Sequence, residues 1–220
     1  MLESILNDKE VRAIVDCVND VIIVNNCGCH GIGHVTRVMN YVEIILRGIG
    51  CDEHTIELGK IAAYLHDIGA VMGKNGHALR SSVFVNEYLT SLNMNDEDKN
   101  IIVHAIKNHS KGSESYIGSA LTFADKIDMQ KSRMMRYIEG NYFHDNIKHM
   151  TDVKLNVDNQ NIYVDIITDG MFDYNSLLDY SKMITKPTEM AKYLNRNCVF
   201  QIDGNKIDLY DIVAKKDKQL

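Results

Sequence analysis

The stretch Lys60-Ile61-Ala62-Ala63-Tyr64-Leu65-His66-Asp67-Ile68-Gly69 is an apolar run that ends in a histidine and an aspartate side by side. Apolar residues recur from position 56 to 65 as they do in a buried helix, and Gly69 is a typical stop for it. Such a helix carries an imidazole and a carboxylate into the interior or into a cleft. A buried carboxylate is costly unless it is paired or bound to a metal. The alternative is a helix end without chemistry, which is the common case for an isolated pair.

Other polar residues along the chain make an isolated pair the weaker interpretation. They lie in the segments Gly31-Ile32-Gly33-His34, Gly76-His77, Asn108-His109 and Ala124-Asp125. In chain order the set is a His, then His-Asp, then two further His and an Asp: His34, His66, Asp67, His77, His109 and Asp125. This order, with its flanking apolar residues, resembles that of the HD-domain metal-dependent phosphohydrolases over about residues 30 to 135.

The resemblance implies a metal site and a function. It implies that His34, His66, Asp67 and Asp125 bind one divalent metal and that Asp67 also bridges to a second ion. His77 and His109 match the histidines that complete the second site, which favours two ions and a metal-activated water as the nucleophile. Imidazole and carboxylate ligands suit Fe, Mn, Co, Ni or Zn, and affinity alone does not choose among these metals.

The remaining histidines carry no motif. His104 competes with His109 for the second site, but five residues separate the two, which is about 140° around an ideal helix. We favour His109, because it matches the family context, and expect His104 at the surface or behind the ligands. Solvent-facing side chains are expected for the other four: His30, His54, His144 and His149.

Four cations are predicted to contact phosphate: Lys74, Arg80, Lys126 and Arg133. Lys74 follows the His-Asp turn and Lys126 adjoins Asp125, so these two are also assigned to catalysis with Asp67. Arginine can hold a phosphate through two hydrogen bonds, whereas lysine acts as a point charge. For each of the four, the alternative is an ordinary solvated charge. Arg37, one helical turn after His34, could instead pair with a ligand carboxylate.

Composition limits the class of protein. The chain has 220 residues with 45% hydrophobic and 25% charged residues, which is ordinary for a soluble globular protein. A net charge of −6 argues against nucleic-acid binding. No apolar run approaches the roughly 20 residues that cross a bilayer, and the N-terminus lacks a signal-peptide pattern, so we expect a cytoplasmic protein without membrane contact. The five cysteines fit reduced thiols, and Cys27-Gly28-Cys29-His30 fits a turn better than a zinc site.

The periodicity predicts a mainly α fold, an HD-domain-like helical bundle with a small C-terminal antiparallel β-sheet. Helices are expected over about 8–24, 32–46, 53–67, 77–92 and 96–109, with a sixth presenting Asp125. In the fourth of these, the residues expected to face inward are Leu79, Val83, Val85 and Leu89. Hairpins are expected at 151–167 and 198–209, with a helix between them that Pro187 interrupts. We divide the chain into an HD-type metal-binding core, 1–140, and an α+β extension packed on it, 141–220.

The sequence therefore predicts a metal-dependent phosphohydrolase that acts on a nucleotide or another small phosphate ester. Two other functions stay open: a non-catalytic nucleotide- or metal-binding sensor on the same scaffold, and a di-iron oxygenase. The diagnostic loop of the cyclic-dinucleotide phosphodiesterases is missing, since Gly112-Ser113-Glu114 contains no proline. Substrate identity, the number of metal ions, the role of the C-terminal sheet and homodimer formation are left open.

Overall fold

Helices fill the first two thirds of the chain in the computed structural model, which describes residues 1–23, 29–134, 142–173 and 181–207. Their bounds are α1 Leu2–Leu6, α2 Lys9–Ile23, α3 Ile32–Gly48, α4 Glu53–Leu65, α5 His77–Ser91, α6 Asp96–Asn108, α7 Tyr116–Ile127, α8 Tyr142–Ile147 and α9 Ser181–Tyr193. Short 3₁₀ helices cover Ile68–Met72 and Lys131–Arg133. The mainly helical fold class is confirmed.

Polar side chains define where the site-bearing helices start. Asp52 accepts a hydrogen bond from the Thr55 amide at 2.8 Å and caps α4. Asn95 caps α6 in the same way, and Ser115 caps α7. Each cap satisfies an amide that the helix leaves without a partner. The starts of these helices are therefore set locally, by residues of the turn that precedes each one.

The core forms where α3, α4, α6 and α7 pack together. The apolar side of α4 is almost fully buried, as the sequence predicts, with Ile61 and Leu65 at 0% exposure. Gly59 allows close approach of α3, because a Cβ there would lie 2.5 Å from Leu46 Cδ1. The same buried cluster continues into the C-terminal part through residues such as Phe200. The division at residue 140 itself stays a prediction.

A four-stranded sheet follows, in the order β1-β2-β3-β4, with β1 Met150–Val157, β2 Asn161–Thr168, β3 Asn197–Ile202 and β4 Asn205–Lys206. The pairs β1/β2 and β3/β4 are antiparallel, as predicted. However, β2 pairs with β3 in parallel, so the sheet is mixed and not purely antiparallel. Parallel neighbours need a long crossover, and the segment that contains α9 supplies it.

Two local expectations were wrong. Pro187 lies inside α9 without interrupting it, and the neighbouring Thr188 hydroxyl donates to the Ile184 carbonyl at 2.8 Å. On α5, Val85 and Leu89 are buried as predicted. Leu79 and Val83, which were also expected to face inward, are 56% and 59% exposed.

Among the residues that the structure describes, no helix combines the length and the apolar character needed to cross a membrane. Cys17, Cys29, Cys51 and Cys198 are free thiols, as expected.

Candidate metal centre

The ends of α3, α4 and α7 bring together the first group of donors. His34 is in the first turn of α3, His66 and Asp67 directly follow α4, and Asp125 is in the last turn of α7. Donor atoms of these four residues all lie within 4.8 Å of one another. The Nε2 atom of His34 is 3.4 Å from Asp125 Oδ1, and that of His66 is 3.3 Å from Asp67 Oδ2. The four residues that the sequence assigns to one metal therefore converge.

The second group uses the other oxygen of Asp67. His77 is the first residue of α5 and His109 directly follows α6. Their Nε2 atoms lie 3.0 Å and 3.5 Å from Asp67 Oδ1. His104, the competing histidine, is exposed on α6. Asp67 thus stands between two donor groups, with one oxygen facing each.

The imidazoles of these histidines are held in one orientation. The Nδ1 atoms of His66, His77 and His109 lie 2.6–2.7 Å from backbone carbonyl oxygens, which only accept, so each Nδ1 carries the hydrogen. In the neutral ring the Nε2 atom then keeps a free lone pair. The Nε2 atoms of His77 and His109 are only 3.0 Å apart. Two lone pairs at this distance repel each other unless a proton or a metal ion lies beside them.

The donors also include buried atoms without a partner. His66 Nε2 and Asp67 Oδ1 have no hydrogen-bond partner among the described residues. A buried polar atom without a partner is costly, and a bound cation would remove this cost at both atoms. Imidazole nitrogens and carboxylate oxygens are also the ligands that divalent transition metals take. The residues present therefore fit a metal ion in each group.

The charges in the site favour cations. Burial disfavours a charged His66, yet Asp67 and Asp125 outweigh it and raise the pKa of this imidazole to about 10. Burial also works against the Asp67 carboxylate, but His66 and His30 hold its pKa well below its usual range. Burial opposes the charge of Asp125 as well, but Lys126, His34 and His66 hold the pKa of this carboxyl well below its usual range. Both carboxylates thus stay ionised and attract positive charge.

The sequence pattern of the HD domain matches residues 31–163, more than half of the chain, and this range includes all six predicted ligands. The chain belongs to the HD-domain family. Among solved structures it is similar to a predicted HD superfamily hydrolase from an uncultured Thermotogales bacterium, with 24% identity, 59% of this chain and 75% of that chain covered, and a TM-score of 0.44. No curated protein matches significantly. HD domains bind divalent metals, and the donor groups above are compatible with that property.

Sequence reasoning missed a carboxylate that hydrogen-bonds to one of the predicted ligands, His34. Asp128 accepts a hydrogen bond from His34 Nδ1 at 2.6 Å and from Arg37 Nε at 2.7 Å. Burial disfavours its charge, but His34 and Arg37 hold its pKa well below the usual value. Arg37 does pair with a carboxylate, although with this one and not with a predicted ligand. A carboxylate behind a histidine fixes the ring and makes its other nitrogen a better ligand.

His30 was expected in solvent, and this was wrong. Its side chain is buried, with Nδ1 2.5 Å from Asp67 Oδ2. Burial lowers the pKa of His30 to about 4, even though Asp67 opposes the shift. The local cause is Asn19 on α2, whose Oδ1 accepts hydrogen bonds from the amides of His30 and Gly31 at 3.0 and 2.6 Å. A turn without periodicity gave no signal for this contact.

The other three histidines that were expected in solvent differ from His30. His54 is exposed, His149 is partly buried beside Asp169, and the side chain of His144 lies outside the described residues.

A cavity of about 750 Å³ opens beside the donors, and Asp67 and Asp125 are in its lining. Of the predicted phosphate contacts, Lys74, Lys126 and Arg133 line it. Lys126 pairs with Asp125, and Arg133 packs against Asp128 with Nη1 3.3 Å from Oδ2. The walls include Ile147 and Met183 from the C-terminal part of the chain.

Arg80, the fourth predicted phosphate contact, is not part of the lining of this cavity. Its Nε donates to the Gly69 carbonyl at 3.0 Å and its Nη1 to the Asn75 carbonyl at 2.7 Å, while Nη2 donates to the carbonyl of Gly73. These bonds fasten the turn that links Asp67 to His77. The guanidinium therefore stabilises the backbone between Asp67 and His77, which carry donors of the two groups.

Proposed function

We propose that this HD-domain protein is a metal-dependent phosphohydrolase that acts on a nucleotide or another small phosphate ester. The observation that carries the proposal is that two donor groups share Asp67 in the lining of one cavity. The first site uses His34, His66, Asp67 and Asp125, and the second uses Asp67, His77 and His109. The chemistry that bound divalent ions supply is activation of water as a nucleophile and compensation of charge on the phosphoryl oxygens.

The charge of the cavity supports an anionic substrate. Five cationic side chains line it, Lys74, Lys107, Lys111, Lys126 and Arg133, against three carboxylates, Asp67, Asp125 and Asp128. This excess of positive charge occurs in a protein whose net charge is −6. A cleft with an excess of one sign of charge concentrates ligands of the opposite sign, and phosphate esters are anions.

The residues around the donors then have separate roles. Asp67 holds both sites together. Burial lowers the pKa of Lys126 but Asp125 raises it more, so this ammonium stays charged next to the first site and can contact a phosphoryl oxygen. Arg133 is in reach of the same region, since its Nη2 is 3.4 Å from His30 Nε2. Lys74 adjoins the second site, where its carbonyl accepts from His77 Nδ1.

The first experiment is elemental analysis of protein purified without chelator, combined with phosphate release from a panel of nucleotides and small phosphate esters. We expect two transition-metal ions per chain and release from at least one substrate. One ion with release would reduce His77 and His109 to substrate or structural contacts. Bound metal without release from any phosphate ester would contradict the proposal, and oxygen consumption would then separate an oxygenase from a sensor.

A further inference from the structure

Three lysines of the cavity, Lys74, Lys107 and Lys111, here called the outer lysines, differ from its other two cations. All three are exposed, and none of their ammonium groups forms an ion pair within the described residues. In contrast, Lys126 and Arg133 are paired with Asp125 and Asp128. Among the described residues, two cations of the cavity therefore have carboxylate partners and the three outer lysines have none.

The two sets lie beside different donor groups. Lys126 and Arg133 contact residues of the first group, Asp125 and His34. The outer lysines flank the histidines of the second group. Lys107 and Lys111 are two residues before and after His109, and the carbonyl of Lys74 accepts from His77 Nδ1 at 2.7 Å.

Helix stability does not explain the outer lysines as a set. Lys107 is in the last turn of α6, where a cation interacts favourably with the helix dipole. Lys111 lies beyond that helix and Lys74 precedes α5, so neither gains from this effect. Like charges that line one cavity repel each other, and an anion bound in the cavity would offset this repulsion.

We propose that the outer lysines bind a second anionic group of the substrate, a phosphate other than the one that is hydrolysed. The substrate class is then an oligophosphate, with at least two phosphates in a chain, and not a simple monoester. This inference rests on the proposed function, because it places the reacting phosphate at the metal donors. It assigns Lys107 and Lys111 to substrate binding.

The test compares two probes on the metal-loaded full chain by calorimetric titration: inorganic tripolyphosphate, which can reach both sets of cations, and orthophosphate, which can occupy only one. In the double variant Lys107→Gln/Lys111→Gln, we expect tripolyphosphate to bind about fivefold more weakly, which corresponds to two exposed ion pairs, with a smaller effect at high salt. The same double variant should bind orthophosphate less than about twofold more weakly than the wild type does. Lys154→Gln, an exposed site on β1 with the same charge change, should bind both probes as the wild type does.

Equal weakening of both probes, or of neither, would overturn the subsite. Its failure is distinguishable from that of the proposed function. If the wild type releases phosphate but the double variant binds tripolyphosphate normally, only the subsite fails. If tripolyphosphate binding depends on the outer lysines but no phosphate ester is hydrolysed, the subsite stands as an anion-binding site and the hydrolase proposal fails.

Discussion

Asp67 is the residue on which both donor groups depend, because Oδ2 faces His66 and Oδ1 faces His77 and His109. Replacing it by Ala leaves one group with two imidazoles and a carboxylate and the other with two imidazoles only. We expect Asp67→Ala to lose metal from both sites and with it all hydrolysis. Elemental analysis of the purified variant measures the first effect and phosphate release the second.

His104→Ala is the matched control for that loss, since the side chain is exposed on α6 and outside both groups. Its metal content should equal that of the wild type. Loss of one ion per chain in this variant would show that His104, and not His109, completes the second site. Full metal content in Asp67→Ala would contradict the whole ligand assignment.

Asp128 acts on the site through His34. Its Oδ2 accepts a hydrogen bond from Nδ1 of that ring, with 2.6 Å between the two atoms, and this orients Nε2 toward Asp67 and Asp125. We expect Asp128→Asn to weaken metal binding at the first site by about 10- to 100-fold, the usual cost of losing a partner behind a ligand. A metal titration measures this, and thermal unfolding shows that the variant is folded.

The control for Asp128→Asn is Asp169→Asn, which alters a second carboxylate–histidine pair, His149 Nδ1 to Asp169 at 3.0 Å, outside the donor groups. Its metal affinity should be unchanged. If Asp128→Asn bound metal with an affinity within twofold of the wild type, His34 would keep its orientation without the carboxylate.

At the scale of single residues, the sequence predicts the convergence of donors well, because each donor ends or begins a helix whose periodicity is clear. It does not reveal His30 or Asp128. His30 lies in an irregular turn whose path depends on a contact with Asn19, far away in sequence. Asp128 is just beyond the end of α7, where helical spacing no longer says which way a side chain points.

At the scale of elements, one side chain on α2 fixes the turn that carries His30. The Asn19 oxygen accepts from Cys29 Sγ at 2.9 Å and from two backbone amides. Without that acceptor the amides of His30 and Gly31 lose their partner at a buried position. We expect Asn19→Ala to lower the free energy of unfolding by about 1–3 kcal/mol, as measured by urea denaturation.

The comparison for this effect is Asn86→Ala on α5, where the half-buried side chain bonds only to Glu87 among the described residues. It should change stability by less than about 0.5 kcal/mol. If the two variants were equally stable, the hydrogen bonds of Asn19 would contribute nothing to the turn.

Among the features of the elements, the sequence predicted two least well: which strands pair, and which side of α5 is buried. The two hairpin patterns are present, but a hairpin pattern does not say which strands of different hairpins become neighbours, so the parallel pairing of β2 with β3 had no local signal. On α5, the prediction of an inward side was right for Val85 and Leu89 but wrong for Leu79 and Val83. The helix packs on α6 and on the Ile68–Met72 3₁₀ helix, and this packing leaves Leu79 and Val83 exposed.

At the scale of the whole molecule, the contact between the last residue of α3 and the last residue of β1 joins the helical part to the sheet. A Cβ at Gly48 would lie 2.4 Å from Val157 Cβ, closer than real side chains approach. We expect Gly48→Ala to destabilise the protein by about 1–3 kcal/mol, the usual cost of overpacking, although alanine is the better helix former by about 1 kcal/mol. Urea denaturation measures the difference.

The destabilisation by Gly48→Ala should disappear when the side chain of Val157 is removed. In a Val157→Gly background the space at Gly48 is open, so the same Gly48→Ala change should be neutral or stabilising because only its helix preference remains. This change of sign is a coupling energy between residues in contact. If Gly48→Ala cost the same in both backgrounds, α3 and β1 would not be in contact in solution, and the sheet would not be anchored to the helix that begins with His34.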